Sequence, residues 1–147
     1  FGHNAIRVSD PSNGKDLAFN YGTFDFTTPN FYLKFGRGQL PYALSVRPYT
    51  RFLENYIAEK RWVKEQVLDL SYGEKVTIFE YLLNNAQPQN RAYQYDFFFD
   101  NCATRIRDVL VANLGNNLAY EDKAYVPTWF TFRQLIQQRL NWNSWGN

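Results

Sequence analysis

The sequence predicts a single α+β domain. Three observations lead there. Short runs with strand-like alternation crowd the front of the chain, at 5–8 and 18–26. Helix-start chemistry appears twice further on, at Ser71 and just before Cys102. Neither an internal repeat nor a low-complexity linker divides the 147 residues, a length that builds one real core but not two ordinary ones.

Taken in order, Ala5-Ile6-Arg7-Val8 reads as a short strand closely following His3. Ser9 to Gly14 is turn chemistry, since Asn-Gly favours positive φ and Pro11 fixes its own. Ala18 to Phe26 alternates and is aromatic, so it pairs back as the second arm of a hairpin. Pro29, Gly36, Gly38 and Pro41 break the next stretch, within which Asn30 to Phe35 reads as a strand. Tyr49 to Arg61 has helical spacing through Phe52, Leu53, Tyr56 and Ile57, with Thr50 as a cap. Trp62 to Leu70 resembles another strand. Ser71-Tyr72-Gly73-Glu74 is a capping-box pattern opening a helix through Ile78, Phe79, Leu82 and Leu83 to about Asn85. Tyr93 to Phe99 is an extended aromatic run. Asp100-Asn101 caps the clearest helix, Cys102 to Asn113, which Gly115 stops. A last helix spans Thr131 to Leu140.

Composition removes several functions. Sixteen basic residues against fourteen acidic leave a net charge of +2, which argues against a chain that grips nucleic acid along its phosphates. No apolar stretch is long enough to span a bilayer. The chain opens Phe1-Gly2-His3 and has no Met, so it reads as a piece of a longer precursor. One Cys and one His allow no internal disulfide and too few ligands for a Cys/His zinc site. The sequence calls for no metal and no cofactor. Any thiol–imidazole chemistry has only Cys102 and His3 to use.

Cys102 opens a helix. Unpaired N–H groups and the positive end of the dipole favour thiolate over thiol there. The same amides can donate to an oxyanion. Beside that stands a plainer reading, in which a free Cys simply fills space in the core. Cys102, Ile106, Val109 or Leu110 and Asn113 share a helical stripe. His3 leads a credible strand, yet spacing alone does not bring it to the sulfur.

FGHNAIRV at 1–8, FNYGTFDF at 19–26 and YDFFFDNCATRIRD at 95–108 resemble the bacterial Lnb N-terminal periplasmic domain family. PNFYLKFGRGQLPY and NRAYQYDF extend the resemblance over nearly the whole chain, and the part after Gly115 is less diagnostic. The resemblance implies a circularly permuted, papain-like fold of the NlpC type, with a small antiparallel sheet packed against the helix that begins at the cysteine. It implies a thiol acyltransferase that moves a fatty acyl chain from phospholipid to the N-terminal amine of a lipoprotein. Cys102 then matches the nucleophile and His3 the base. The orienting third residue comes from the second strand, Asn20 by choice and Asp25 as the alternative. Strand alternation puts these two on opposite faces unless Gly22 marks a bulge. The resemblance also implies a periplasmic domain, attached to the inner membrane through segments outside this chain.

Other residues carry two readings each. Asp100 and Asn101 shape an oxyanion site, orient His3, or only cap the helix. Asn101 and Arg105 are the candidate substrate contacts. Arg105 and Arg107 meet lipid phosphate, or pair with Asp108 or Asp96. Gly36-Arg37-Gly38 lacks the context of a phosphate cradle. Trp129, Trp142 and Trp145, with Arg133 and Arg139, suit a bilayer interface or ordinary packing. The rival functions are a peptidoglycan amidase or endopeptidase, a phospholipase with water as acceptor, and a non-catalytic envelope binding module with an unreactive thiol. The oligomeric state, donor lipid and acyl length have no signature here.

Overall fold

A computed structural model describes residues 2–119 and 129–138. Its sheet is an antiparallel meander in sequence order. The strands are β1 (Ile6–Asp10), β2 (Lys15–Thr23), β3 (Pro41–Pro48) and β4 (Ala92–Gln94). Among the described residues five α-helices accompany it: α1 (Phe31–Gly36), α2 (Tyr49–Ala58), α3 (Tyr72–Asn85), α4 (Cys102–Leu114) and α5 (Phe132–Gln137). The small antiparallel sheet and the helices make the chain α+β.

The first hairpin is set by its turn. Asp10 accepts from the Ser12 N–H at 3.1 Å and from Asn13 Nδ2 at 2.5 Å. Gly14 takes a left-handed φ of 61° that a side chain would strain. This pins Asp10 opposite Lys15 and Ile6 opposite Phe19. Since a one-residue slip would turn every side chain to the other face, the turn also decides what β2 buries. Phe19 and Tyr21 then point inward together, fully buried with Leu44 of β3. Ile78 and Leu82 of α3 and Val109 and Leu114 of α4 close the core from the helix side.

Both long helices start where their caps put them. At α3, Ser71 Oγ accepts from the Glu74 N–H at 3.4 Å while Glu74 answers with a 2.8 Å bond to the Ser71 N–H. Ile78 and Leu82, four apart, lie on its buried face. The α4 helix ends at Gly115, whose φ is 51°. Tyr21 of β2 donates its hydroxyl to Asn85 Oδ1 at 2.5 Å, tying the sheet to the end of α3.

Several expectations need correction. Asn30 to Phe35 is not a strand: residues 31–36 form α1, in which Phe31 stacks on Phe35 one turn away. Ring packing against Phe24 and Phe26 overrides the β preference of these aromatics. Trp62 to Leu70 is not a strand: it has no regular secondary structure. It is held by a side chain, Glu65, which accepts from Arg7 at 2.9 Å and from the Tyr49 hydroxyl. Strand β3, at the middle of the sheet, has no counterpart in the sequence reading. Prolines at both its ends look like breakers, and only its terminal positions tolerate them. Strand β2 runs 15–23 rather than 18–26, because Gly22 breaks its register with β3. Pro48 rather than Thr50 occupies the N-cap position of α2, without a side-chain cap, and the helix ends at Ala58. The extended run 93–99 is strand only to Gln94; beyond it, an Asp96–Asp100 bridge closes a turn. The last helix spans 132–137. Trp142, Trp145 and Arg139 lie outside the described residues.

Candidate active site

Helix α4 brings Cys102 to the sheet. The turn before it is wound around two acceptors. Asp96 Oδ1 accepts from the Phe98 and Phe99 N–H groups at 2.8 and 2.9 Å. Asn101 Oδ1 accepts from Ala103 and Thr104 N–H at 2.9 and 3.1 Å. Thr104 Oγ1 completes the box by accepting from the Asn101 N–H at 2.8 Å. Cys102 therefore sits at the first residue of the helix, half-buried, with its thiol free.

His3 reaches this sulfur from the stretch just before β1. The imidazole and the thiol are hydrogen-bonded to each other. The ring's Nε2 lies 2.5 Å from Asn20 Oδ1, so Nδ1 is the nitrogen left for the sulfur. An amide oxygen only accepts, so Asn20 holds the proton on Nε2 and fixes the ring's orientation. Of the two third-residue candidates, the fold brings Asn20 to His3. Asp25 is elsewhere, accepting from the N–H and hydroxyl of Thr27 at 2.8 and 2.7 Å in a turn. The register of β2 breaks between Asn20 and Thr23, where Gly22 has a φ of 84°, and the strand ends at Thr23, which leaves Asp25 beyond it.

The electrostatics run toward an ion pair. The His3 bond holds the Cys102 thiol below its ordinary range, against the partial burial that pushes it up. The Asn4 and Ala103 N–H groups and the imidazolium charge pull in the same direction as that bond. The bond to Cys102 raises His3 above the ordinary imidazole range. Desolvation opposes it, Asn20 adds to it, and the charge of Arg61 works weakly against it. The site thus combines a thiol made more acidic, an adjacent imidazole made more basic and amide donors at the sulfur. That set suits attack on an acyl carbonyl followed by protonation of the leaving group.

The other candidates are engaged elsewhere. Asn101 has both ends of its side chain committed: Oδ1 to the helix start and Nδ2 to the Phe97 carbonyl at 2.9 Å. Asp100 meets Arg105 with both oxygens, the Nη2–Oδ2 bond being 2.6 Å, and so does not orient His3. The Arg105 guanidinium also lies 4.1 Å over the Tyr93 ring. Arg107 pairs with Asp108 at 2.7 Å. Trp129 is 98% exposed.

Three neighbours of the sulfur escaped sequence reasoning. A β-carbon placed on Gly22 would lie 3.7 Å from the Cys102 β-carbon, 3.7 Å from the Tyr95 ring and 3.9 Å from the Tyr93 hydroxyl. Tyr93 and Tyr95 are two apart in an extended run, and this alternation was the signal available for placing them on one face. The Asn4 amide had none, because a backbone donor carries no residue signature.

Among the described residues no helix is long and apolar enough to cross a membrane. A family model described as the Lnb N-terminal periplasmic domain matches residues 1–138. No curated protein and no solved structure matches the chain.

Proposed function

Because the chain belongs to the Lnb N-terminal periplasmic domain family, we propose that this periplasmic domain is a cysteine-dependent acyltransferase. In this reading it carries a fatty acyl chain from phospholipid, through S-acyl-Cys102, to the N-terminal amine of a lipoprotein. The observation that carries it is the meeting of Cys102, His3 and Asn20 at the start of α4. The base and its orienter precede the nucleophile in the chain, which also supports reading the fold as a permuted papain-like one.

The steps balance within these residues. The Cys102 thiolate attacks the ester carbonyl, with the Cys102 N–H at the helix start steadying the oxyanion. The carbon–oxygen bond to glycerol breaks. His3 gives its proton to the departing lysophospholipid, leaving a thioester beside a neutral imidazole. A lipoprotein amine then attacks the thioester and passes a proton to His3. The carbon–sulfur bond breaks, restoring thiolate and imidazolium. Two easier steps replace one direct aminolysis of an ester.

Intact-mass measurement after mixing the chain with phosphatidylethanolamine vesicles tests the first half. One acyl mass should appear on the wild-type chain, map to Cys102, and be removed by neutral hydroxylamine. A lipopeptide with a free N-terminal amine should then take the acyl group. An unmodified chain that instead cleaves muropeptides would establish the amidase. A thiol that titrates like free cysteine, with no acyl adduct, would establish a non-catalytic module.

A further inference from the structure

One cavity beside the site is walled almost wholly by hydrocarbon. It measures about 210 Å³ and is lined by Phe35, Gly38, Leu40, Tyr42, Tyr95 and Phe97. No charged side chain borders it. One wall residue stands near the nucleophile: Tyr95 and Cys102 flank the bare face of Gly22, each 3.7 Å from where a β-carbon would stand. Tyr95 stacks on Tyr42 with ring centroids 4.3 Å apart, which continues the apolar wall away from the sulfur. Leu40 forms the buried floor at 1% exposure. Phe35 and Phe97 stand at the mouth, 57% and 65% exposed. Gln94 of β4 donates to the Gly38 carbonyl and so ties the α1 loop to the sheet.

The surroundings of the mouth narrow the occupant. Residues 26–53 contain four basic side chains and no acidic one. Lys34 and Arg37 flank the cavity residues Phe35 and Gly38, and among the described residues neither forms an ion pair. Free cations beside an uncharged aromatic cleft match a molecule with an anionic head and a hydrocarbon tail. A muropeptide, carrying hydroxyls, amides and carboxylates, would leave these polar groups without partners on such walls.

We propose that this cavity seats the aliphatic chain of the acyl group bound for Cys102, with the donor's phosphate held at Lys34 and Arg37. The assignment rests on the acyltransferase reading and adds to it the place where chain length is read. Burying one methylene is worth about fourfold in affinity, so a few buried methylenes suffice for strong selection.

The test compares p-nitrophenyl acetate with p-nitrophenyl octanoate. The wild-type chain should favour octanoate in kcat/KM by about thirtyfold or more, the effect of two to three buried methylenes. Placing carboxylates at the mouth, F35D with F97D, should bring that ratio within about threefold of one. Val67→Ser, on an exposed residue far along the chain, should keep it. Both mouth residues are well exposed, and F35S with F97S replaces the double aspartate if that variant does not fold. A wild-type ratio near one, or a preference that survives at the altered mouth, overturns the proposal.

A second arm needs no turnover. Cys102→Ala protein is titrated with dansyl-labelled undecanoate, whose emission rises on leaving water. Saturable binding that the mouth variants abolish supports the cavity, and absence of binding overturns it. Failure of the wild-type chain to turn over either ester, with binding intact, defeats the acyltransferase reading and leaves the chain-binding cavity standing.

Discussion

Replacing Cys102 by alanine is expected to lower acyl transfer by at least about ten-thousandfold, the scale on which loss of a covalent nucleophile is felt. Nothing in the chain substitutes for it, since Cys102 is the only cysteine. Serine should rescue little, because its hydroxyl does not ionise beside an imidazolium as a thiol does. The fold should survive both changes. The sulfur is only half-buried, and the helix start is held by Asn101 and Thr104 rather than by the thiol. Transfer of a radiolabelled acyl group to a lipopeptide measures the first effect, and urea unfolding the second. Activity in the alanine variant within tenfold of wild type would remove Cys102 from the chemistry.

His3→Ala is the second large effect. Loss of the base should lower transfer by about 10²–10⁴-fold. Its distinctive sign is in pH dependence. In the wild-type chain the thiol is held below its ordinary range and the imidazole above its own, each favouring the ionised form of the other. Alkylation by iodoacetamide should therefore rise at a pH below that of free cysteine. Without His3 the strongest stabiliser of the thiolate is gone while burial still opposes it. The inflection should then move upward, the remaining Asn4 and Ala103 amides keeping part of the effect. Since the two groups titrate as a pair, the wild-type transfer profile should be bell-shaped, with its limbs belonging to both together. Asn20→Ala should narrow the bell from its alkaline side, because the Asn20 contact helps hold the imidazolium. An alkylation profile unchanged by His3→Ala would separate the ring from the sulfur.

Parts of this molecule were readable because local chemistry decides them. Asp10 to Gly14 encodes its own turn, and Ser71 with Glu74 encodes its own helix start. The start of α4 at Cys102 and the stop at Gly115 are likewise written in neighbouring residues. Strand β3 was not readable, since its place between β2 and β4 depends on partners distant in the chain, and its flanking prolines argue locally against it. Helix α1 follows from rings that pack across segments. Within the site, scarcity made Cys102 and His3 visible. Asn20 was told from Asp25 only by the end of β2 at Thr23, which leaves Asp25 to a turn. The cavity was invisible because its walls arrive from α1, the loop after it, β3 and the turn before α4.

The first laddered residue of the sheet is Ile6, opposite Phe19. His3 and Asn4 precede it, and together they supply the base and one of the two amides that meet the sulfur. This part of the proposed site is thus moored by its own contacts with Cys102 and Asn20, outside the ladder that the core protects. A short excursion of residues 2–5 would dismantle the thiolate while leaving Phe19, Tyr21 and Leu82 packed. On gentle heating, thiol reactivity should fade before helix content does. Whatever clamps that segment, a lipid surface or a bound acceptor, would act as a throttle on the chemistry without touching the core.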